Sequence, residues 1–236
     1  MSRKKKELLR SKAENTRENH RIFFIRHGET DWNKNFRYQG LSDVELNEFG
    51  LEQARRLGLR LAKTEPTRVV SSPLARALRT AEEIMRLNSG SAPIETMDDL
   101  REISFGCWEG LTFSEVSKRY PDTYGRWRLA PFSVTPDGGE SIGEIIERSR
   151  GAADDIVRRG VPGGVTFIVA HGAILRSLLA SMMNVSDIDL MWMMRLDNCS
   201  LTVLDFWGSH PSLLTLNDTH HTRMSERDIA RLVFHV

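Results

Sequence analysis

The sequence predicts an α/β fold, a three-layer sandwich in which a mostly parallel central sheet carries helices on both faces. Short apolar runs, typical of buried strands, alternate along the chain with segments whose apolar residues repeat every three to four positions. Such alternation of strands and helices favours a parallel sheet that is covered on both sides. The length of 236 residues, with 40% hydrophobic and 28% charged residues, fits one globular domain of this kind.

Five segments are predicted as strands because they are short, apolar and bounded by turn-forming residues. In chain order these are residues 22–25, 69–70, 165–170, 200–206 and 212–216. The last two are joined through Gly208-Ser209-His210-Pro211, which is typical of a hairpin turn.

Helices are predicted from apolar spacing and from capping signals. The first is capped by Asn47 and has apolar residues at 51, 54, 57 and 61, and the second has Ser72 as N-cap and Pro73 at its first position. A short helix begins after Thr112 and is stopped by Pro121. The remaining three are predicted from Ser141 to about Arg159, over residues 173–183 and, at the terminus, over residues 225–235. Both Thr112 with Glu115 and Ser141 with Glu144 have the spacing of a capping box. Residues 121–140 are predicted to be irregular, and residues 104–140 are expected to form a cap-like insertion over the site.

Composition argues against several classes of protein. The net charge of +1 gives no sign of a nucleic-acid binder, and no apolar run approaches the ~18 residues of a membrane-spanning helix. Cys107 and Cys199 are too few for a disulfide framework, so we expect a cytoplasmic setting. Residues 1–20 form a basic N-terminal extension that lies outside the predicted domain of residues 21–236. This extension is either a solvated tail or a contact for an acidic partner.

Cationic and imidazole side chains follow the predicted parallel strands, at the points where those strands end. Arg26 and His27 follow the first strand, Arg76 lies in the first turn after the second, and His171 follows the strand that ends at residue 170. Ligands bind at the carboxyl ends of strands in open α/β sheets, and helix N-termini there favour anions. Arginine grips phosphate oxygens two at a time. The sequence therefore predicts a site for a phosphoryl group, with no metal.

A proton donor is also needed if a phosphate ester is to be cleaved at this site. Glu102 lies in a loop after the segment at residues 93–95, and a carboxyl group near a phosphate can protonate a leaving oxygen. Glu48, Glu109 and Glu140 lie in loops or helix starts that could also reach the site, and the sequence leaves these alternatives open.

Several motifs, taken together, resemble a known family. In chain order they are Arg26-His27-Gly28-Glu29-Thr30, Trp32-Asn33, Gln39-Gly40, Leu46-Asn47-Glu48-Phe49-Gly50, Ser71-Ser72-Pro73-Leu74-Ala75-Arg76-Ala77-Leu78-Arg79-Thr80-Ala81, Leu100-Arg101-Glu102, Gly106-Cys107-Trp108-Glu109-Gly110 and Ala170-His171-Gly172. They closely resemble the motifs of the histidine phosphatase superfamily, the phosphoglycerate mutase-like family. The resemblance runs from about residue 21 to about residue 206.

This resemblance implies a mechanism without a metal or other cofactor. It implies that His27 is a nucleophile that forms a phosphohistidine, and that Glu102 acts as general acid and then as general base. Arg26, Arg76 and His171 would hold the phosphate oxygens. Substrate binding would fall to the residues Asn33, Gln39, Gly40 and Gly172.

The resemblance also bears on the branch of the family. Two segments, Arg101 to Gly110 and Gln39-Gly40-Leu41-Ser42-Asp43, resemble the sequences of the phosphatase branch, which includes α-ribazole phosphatases and broad-specificity phosphatases. The alternative is a cofactor-dependent phosphoglycerate mutase, but the Arg-Arg pair of the mutase insert is missing after Trp108. We therefore expect metal-independent hydrolysis of a small-molecule phosphomonoester. A homodimer through the terminal strands is compatible with the resemblance, and the sequence leaves the oligomeric state open.

Overall fold

The computed structural model describes residues 19–130, 134–186 and 193–223 of the chain. Nearly all of the predicted basic extension and the predicted terminal helix at residues 225–235 lie outside these residues. Within the described part, no helix is long and apolar enough to cross a membrane.

The described residues form one six-stranded sheet at the centre of the molecule. The strands are β1 His20–Arg26, β2 Arg68–Ser71, β3 Ile94–Thr96, β4 Val165–Ala170, β5 Leu201–Trp207 and β6 His210–Asp218. Their order across the sheet is β3-β2-β4-β1-β5-β6. The first four strands of this order run parallel, whereas β5 is antiparallel to both β1 and β6. The prediction of a mostly parallel sheet is confirmed.

Seven helices surround this sheet in the described residues. They are α1 Asp31–Lys34, α2 Glu48–Arg60, α3 Ala75–Leu87, α4 Phe113–Arg119, α5 Pro121–Leu129, α6 Ile142–Arg158 and α7 Gly172–Met182. The predicted N-cap of α2 and the capping boxes of α4 and α6 are all present, so local side-chain chemistry sets these helix starts.

Side chains of β1 alternate between two hydrophobic clusters, one on each face of the sheet. Ile22 and Phe24 belong to a cluster that includes Ile145 of α6 and Ile174 of α7. Phe23 and Ile25 belong to a second cluster with Leu57 of α2 and Ile84 of α3. Alternation with a period of two is what a strand buried on both faces requires. The three-layer sandwich is therefore also confirmed.

The register of β1 against β4 explains how the predicted site is assembled. Arg26 at the end of β1 lies opposite Ala170 at the end of β4. His27 and His171, which each follow directly, therefore leave the sheet at the same edge. Residues that are 144 positions apart in the chain become neighbours through this pairing, with their ring centroids 5.1 Å apart.

Two local predictions were wrong, and both concern proline. Pro121 does not leave an irregular segment behind it but starts helix α5, because proline at the first helical position loses no intrahelical hydrogen bond. The N-cap of α3 is Leu74, not Ser72. The Ser72 hydroxyl instead accepts a 3.3 Å hydrogen bond from the Leu74 N–H, and the helix begins two residues later than predicted.

The packing of α2 against the sheet leads to a stability prediction. Leu57→Ala should lower the free energy of unfolding by about 2–5 kcal/mol, because Leu57 is fully buried and its truncation leaves a cavity. Leu129→Ala is the matched control, since Leu129 is also helical but is 89% exposed. This control should change stability by less than about 0.5 kcal/mol. Urea unfolding of both variants tests the prediction, and equal losses would contradict it.

Candidate active site

His27 is held in one tautomer at the end of β1. Its Nδ1 lies 2.7 Å from the carbonyl oxygen of Gly28. A carbonyl oxygen can only accept, so Nδ1 carries the proton and donates it. The Nε2 atom is consequently left with a free lone pair. His27 also lines a cavity, although its side chain is almost entirely buried.

The charge state of His27 follows from its surroundings. Burial lowers the pKa of the His27 imidazole well below its usual value of 6.5, and the positive charges of Arg76 and Arg26 lower it further. The ring is therefore neutral at pH 7. A neutral imidazole with a free Nε2 is the form that can act as a nucleophile.

Arg26 brings a guanidinium group to the same cavity. Its Nη1 donates a 2.7 Å hydrogen bond to the carbonyl oxygen of Leu196. Its Nε is buried and has no hydrogen-bond partner among the described residues. Buried N–H groups are nearly always paired in folded proteins. This unpaired donor beside the cavity fits a site that binds an anion.

Arg76 lies in the first turn of α3 and is completely buried. Its Nη2 and Nη1 donate 2.8 Å hydrogen bonds to the carbonyl oxygens of Gly40 and Ser42. Burial lowers the pKa of Arg76 to about 10, so the guanidinium stays charged at neutral pH. The loop that follows α1 is thus tied to the cation that faces the cavity.

His171 lies behind Arg76 and does not line the cavity. The Nε–H of Arg76 donates to its Nδ1 at 3.2 Å, and its Nε2 lies 2.8 Å from the Ser72 hydroxyl. An arginine N–H can only donate, so the proton of the neutral ring is on Nε2. Burial and the charge of Arg76 lower the pKa of His171 well below 6.5. The sequence placed His171 on the phosphate oxygens, whereas here both of its ring nitrogens bond to protein.

Glu102 reaches the cavity from the loop before the predicted cap. Its carboxylate accepts hydrogen bonds from the backbone N–H groups of Ala173 at 3.1 Å and Ile174 at 3.3 Å. Both groups belong to the first turn of α7, where the backbone N–H groups have no intrahelical partner and are free to hold the Glu102 side chain in place. Glu102 is therefore held next to Gly172, which also lines the cavity.

The three other candidate carboxylates do not line this cavity. Glu109 accepts hydrogen bonds from the backbone N–H groups of Leu41, Ser42 and Phe105, and so braces two loops. Glu140 forms two hydrogen bonds with Arg148. Of the four carboxylates considered, Glu102 is the one that lines the cavity.

Arg148 fixes the backbone that presents Glu102, and the sequence did not identify it. From α6 it donates to Glu140 at 2.6 and 2.8 Å. It also donates to the carbonyl oxygens of Asp99 at 2.6 Å, Arg101 at 2.8 Å and Glu102 at 3.2 Å. One guanidinium group thereby holds three residues of the loop. The sequence gives no signal of these contacts, because the three carbonyl groups lie almost 50 positions away from Arg148 in the chain.

Asn198 is a second functional residue that the sequence missed. Its Nδ2 donates to the carbonyl oxygens of His27 at 3.0 Å and Gly28 at 3.2 Å. The same amide lies 3.3 Å from Oδ1 of Asn33, which also accepts from the Thr30 N–H. The oxygen of Asn33 is thus occupied, and its NH₂ group is the part that remains to donate into the cavity.

The cavity has a volume of about 310 Å³. Its wall combines polar and cationic residues with aromatic ones, namely Arg26, His27, Asn33, Arg37, Tyr38, Gln39, Gly40, Arg76, Glu102, Phe105, Phe113, Trp127, Gly172, Ala173 and Arg176. Of the nine predicted site residues, eight line it and His171 supports it from behind. In the described ranges, no group of three His, Cys, Asp or Glu residues is placed to hold a metal ion.

Comparison with known proteins identifies the relatives of this chain. A family model, the histidine phosphatase superfamily (branch 1), matches residues 22–219. Phosphoserine phosphatase 1 of Hydrogenobacter thermophilus is 32% identical over 201 residues, which cover 85% of this chain and 93% of that protein.

Two solved structures are also similar. A mycobacterial glucosyl-3-phosphoglycerate phosphatase in complex with VO3 is 30% identical, with a TM-score of 0.75, and the match covers 84% of this chain and 98% of the other. The α-ribazole phosphatase of Shigella flexneri is 27% identical, with a TM-score of 0.74, covering 84% and 96%.

The hydrogen bonds of the two rings lead to a prediction that NMR can test. In a ¹H–¹⁵N titration of the free protein, His27 should be the neutral Nδ1–H tautomer and His171 the neutral Nε2–H tautomer. Because burial and the arginines lower both pKa values, each ring should protonate only well below pH 6.5. His27→Gln and His171→Gln spectra assign the signals. Protonation of either ring at or above pH 6.5 would contradict the prediction.

Proposed function

The chain belongs to the histidine phosphatase superfamily, and we propose that His27 is the residue on which it transfers the phosphoryl group. It is a phosphatase that hydrolyses phosphomonoesters through a phosphohistidine, in keeping with its relatives and its family. The phosphoglycerate mutase alternative is not favoured. The observation that carries the assignment of His27 is its free Nε2, close to the positive charges of Arg76 and Arg26.

In the first step, Nε2 of His27 attacks the phosphorus atom of the substrate. A P–N bond forms while the P–O bond to the alcohol breaks, and the departing oxygen takes a proton from Glu102. The Nδ1–H bond to the Gly28 carbonyl holds the ring in line and stabilises the positive charge that it acquires. Arg26, Arg76 and the amide of Asn33 stabilise the negative charge on the three other oxygens.

In the second step, water attacks the phosphorus atom of the phosphohistidine. Glu102, now a carboxylate, removes a proton from this water, and the P–N bond breaks to release inorganic phosphate. His27 returns to its neutral tautomer because the proton on Nδ1 never leaves. A relative forms a complex with VO3, an oxyanion, which is in keeping with phosphoryl transfer as the class of reaction.

His171 has a supporting role in this proposal. It accepts from Arg76 and so directs the guanidinium of that residue towards the cavity. Residues 104–140 act as the cap over the site, because Phe105, Phe113 and Trp127 contribute to the cavity wall. The substrate is a small phosphomonoester that fits this volume, and two free cysteines suit a cytoplasmic location. A homodimer and the separate basic extension at residues 1–20 remain predictions.

His27→Ala should abolish phosphate release, with a loss of more than about 10³-fold in kcat, because the covalent route is removed. His220→Ala is the control, since His220 is exposed and lies outside the cavity. Both are compared with the wild type on a panel of phosphomonoesters in the presence of a chelator. Acid quenching with a labelled substrate should trap phosphohistidine in the wild type alone. Undiminished turnover by His27→Ala would overturn the assignment.

Glu102→Gln should slow hydrolysis by a factor that depends on the leaving group of the substrate. An alkyl phosphate, whose alcohol must be protonated as it departs, should lose about 10²–10⁴-fold in kcat/KM, which does not include the later hydrolysis of the phosphohistidine. The loss on p-nitrophenyl phosphate should be smaller, because nitrophenolate leaves without a proton. Glu48→Gln is the control, since that residue does not line the cavity. Equal losses on both substrates would show that Glu102 is not the general acid.

A further inference from the structure

Four aromatic side chains in the cavity wall are not used by the chemistry of phosphoryl transfer. They are Tyr38, Phe105, Phe113 and Trp127. Their rings form a connected series. The ring centroids are 4.9 Å apart for Phe113 and Tyr38, 4.7 Å for Tyr38 and Phe105, and 5.9 Å for Phe105 and Trp127. We refer to these four residues as the aromatic wall.

The aromatic wall is backed by a rigid layer. Trp108 is fully buried and lies 5.4 Å from the ring of Tyr38 and 5.6 Å from that of Trp127. The Tyr38 hydroxyl is hydrogen-bonded to Tyr124, and burial raises the pKa of Tyr38, so the hydroxyl stays protonated. What Tyr38 offers the cavity is therefore mainly the apolar part of its ring. Such a pre-formed surface binds a ligand without losing side-chain freedom.

Two further arginines line the cavity, and each has a carboxylate nearby. Arg37 is 3.4 Å from Glu115 and also donates to the carbonyl oxygen of Gly110 at 2.6 Å. The charge of Arg176 is opposed by Glu102, which raises the pKa of the Arg176 guanidinium against the effect of burial. A second anionic group at Arg37 would have to compete with Glu115.

We propose that the aromatic wall binds the alcohol part of the substrate, and that this alcohol carries an aromatic or heteroaromatic ring. This proposal rests on the proposed function, since it names the class of phosphomonoester that the same site takes. Ring-to-ring contacts contribute about 0.5–1.5 kcal/mol beyond the burial of apolar area. A volume of about 310 Å³ accommodates a phosphate together with a small ring system.

The test needs substrates that differ in the ring but not in the reactivity of the alcohol. 2-Phenylethyl phosphate and ethyl phosphate are both esters of unactivated primary alcohols, so their chemical steps are closely matched. The value of kcat/KM should be at least about tenfold higher for 2-phenylethyl phosphate, mainly through a lower KM. Phosphoserine, which adds charges instead of a ring, should also be a poorer substrate than 2-phenylethyl phosphate.

A pair of exposed phenylalanines supplies matched variants. Phe113 is 43% exposed at the aromatic wall, and Phe49 is 53% exposed outside the cavity. Phe113→Ala should lower the preference for 2-phenylethyl over ethyl phosphate by at least about threefold, whereas Phe49→Ala should leave it unchanged. Both substitutions are at exposed positions, so thermal unfolding should show that each variant is folded.

The outcomes separate this proposal from the proposed function. Hydrolysis of both esters with equal kcat/KM, or a higher value for phosphoserine, would overturn the aromatic class while leaving the phosphatase intact. An unchanged preference in Phe113→Ala would also count against the wall. Failure to hydrolyse any ester, with no phosphohistidine trapped, would instead overturn the proposed function itself.

Discussion

Two guanidinium groups, those of Arg26 and Arg76, are held inside the protein near one another, and the rest of the site is arranged around them. Burial lowers the pKa of both arginines, which is the electrostatic cost of removing like charges from water. Backbone carbonyl oxygens and the Glu102 carboxylate offset this cost. The loop after α1, the start of α7 and the loop before the cap must therefore all meet at the carboxyl ends of β1 and β4.

The neutrality of the two histidines follows from the same arrangement. Burial disfavours a protonated imidazole at His27 and so lowers its pKa, and the positive charges of Arg76 and Arg26 lower the pKa further. The cations that suit a phosphate therefore also help to keep His27 neutral. The tautomers are set separately, by the Gly28 carbonyl for His27 and by the Arg76 N–H for His171. The charges of the arginines thus help to keep His27 neutral, and the hydrogen bond from Arg76 orients His171.

The alternation of strands and helices predicted the fold class, and the strand ends identified Arg26, His27 and Arg76 directly after short apolar runs. The resemblance to the family supplied Asn33, Gln39, Gly40 and Gly172, which also line the cavity. Patterns of this kind can be read from the sequence because the residues that form them are neighbours in the chain. The sequence could not predict the roles of Arg148 and Asn198, because both donate hydrogen bonds to backbone carbonyl oxygens that are far away in the chain. Such contacts produce no regular spacing of residues in the sequence. The phosphate contact that the resemblance implies for His171 stays a prediction, and in this structure both of its ring nitrogens bond to protein.

The position of β1 between β4 and β5 has a consequence for synthesis on the ribosome. Its partners begin at Val165 and Leu201, so the strand leaves the ribosome long before either of them exists. At roughly 5–20 residues per second, β1 waits on the order of ten seconds for β4. During that interval Phe23 and Phe24 belong to an unpaired apolar segment, of the kind that chaperones bind. In chain order β2 and β3 can pair first, β4 then joins β2 to β1, and β5 and β6 follow, so β1 is translated first but paired late.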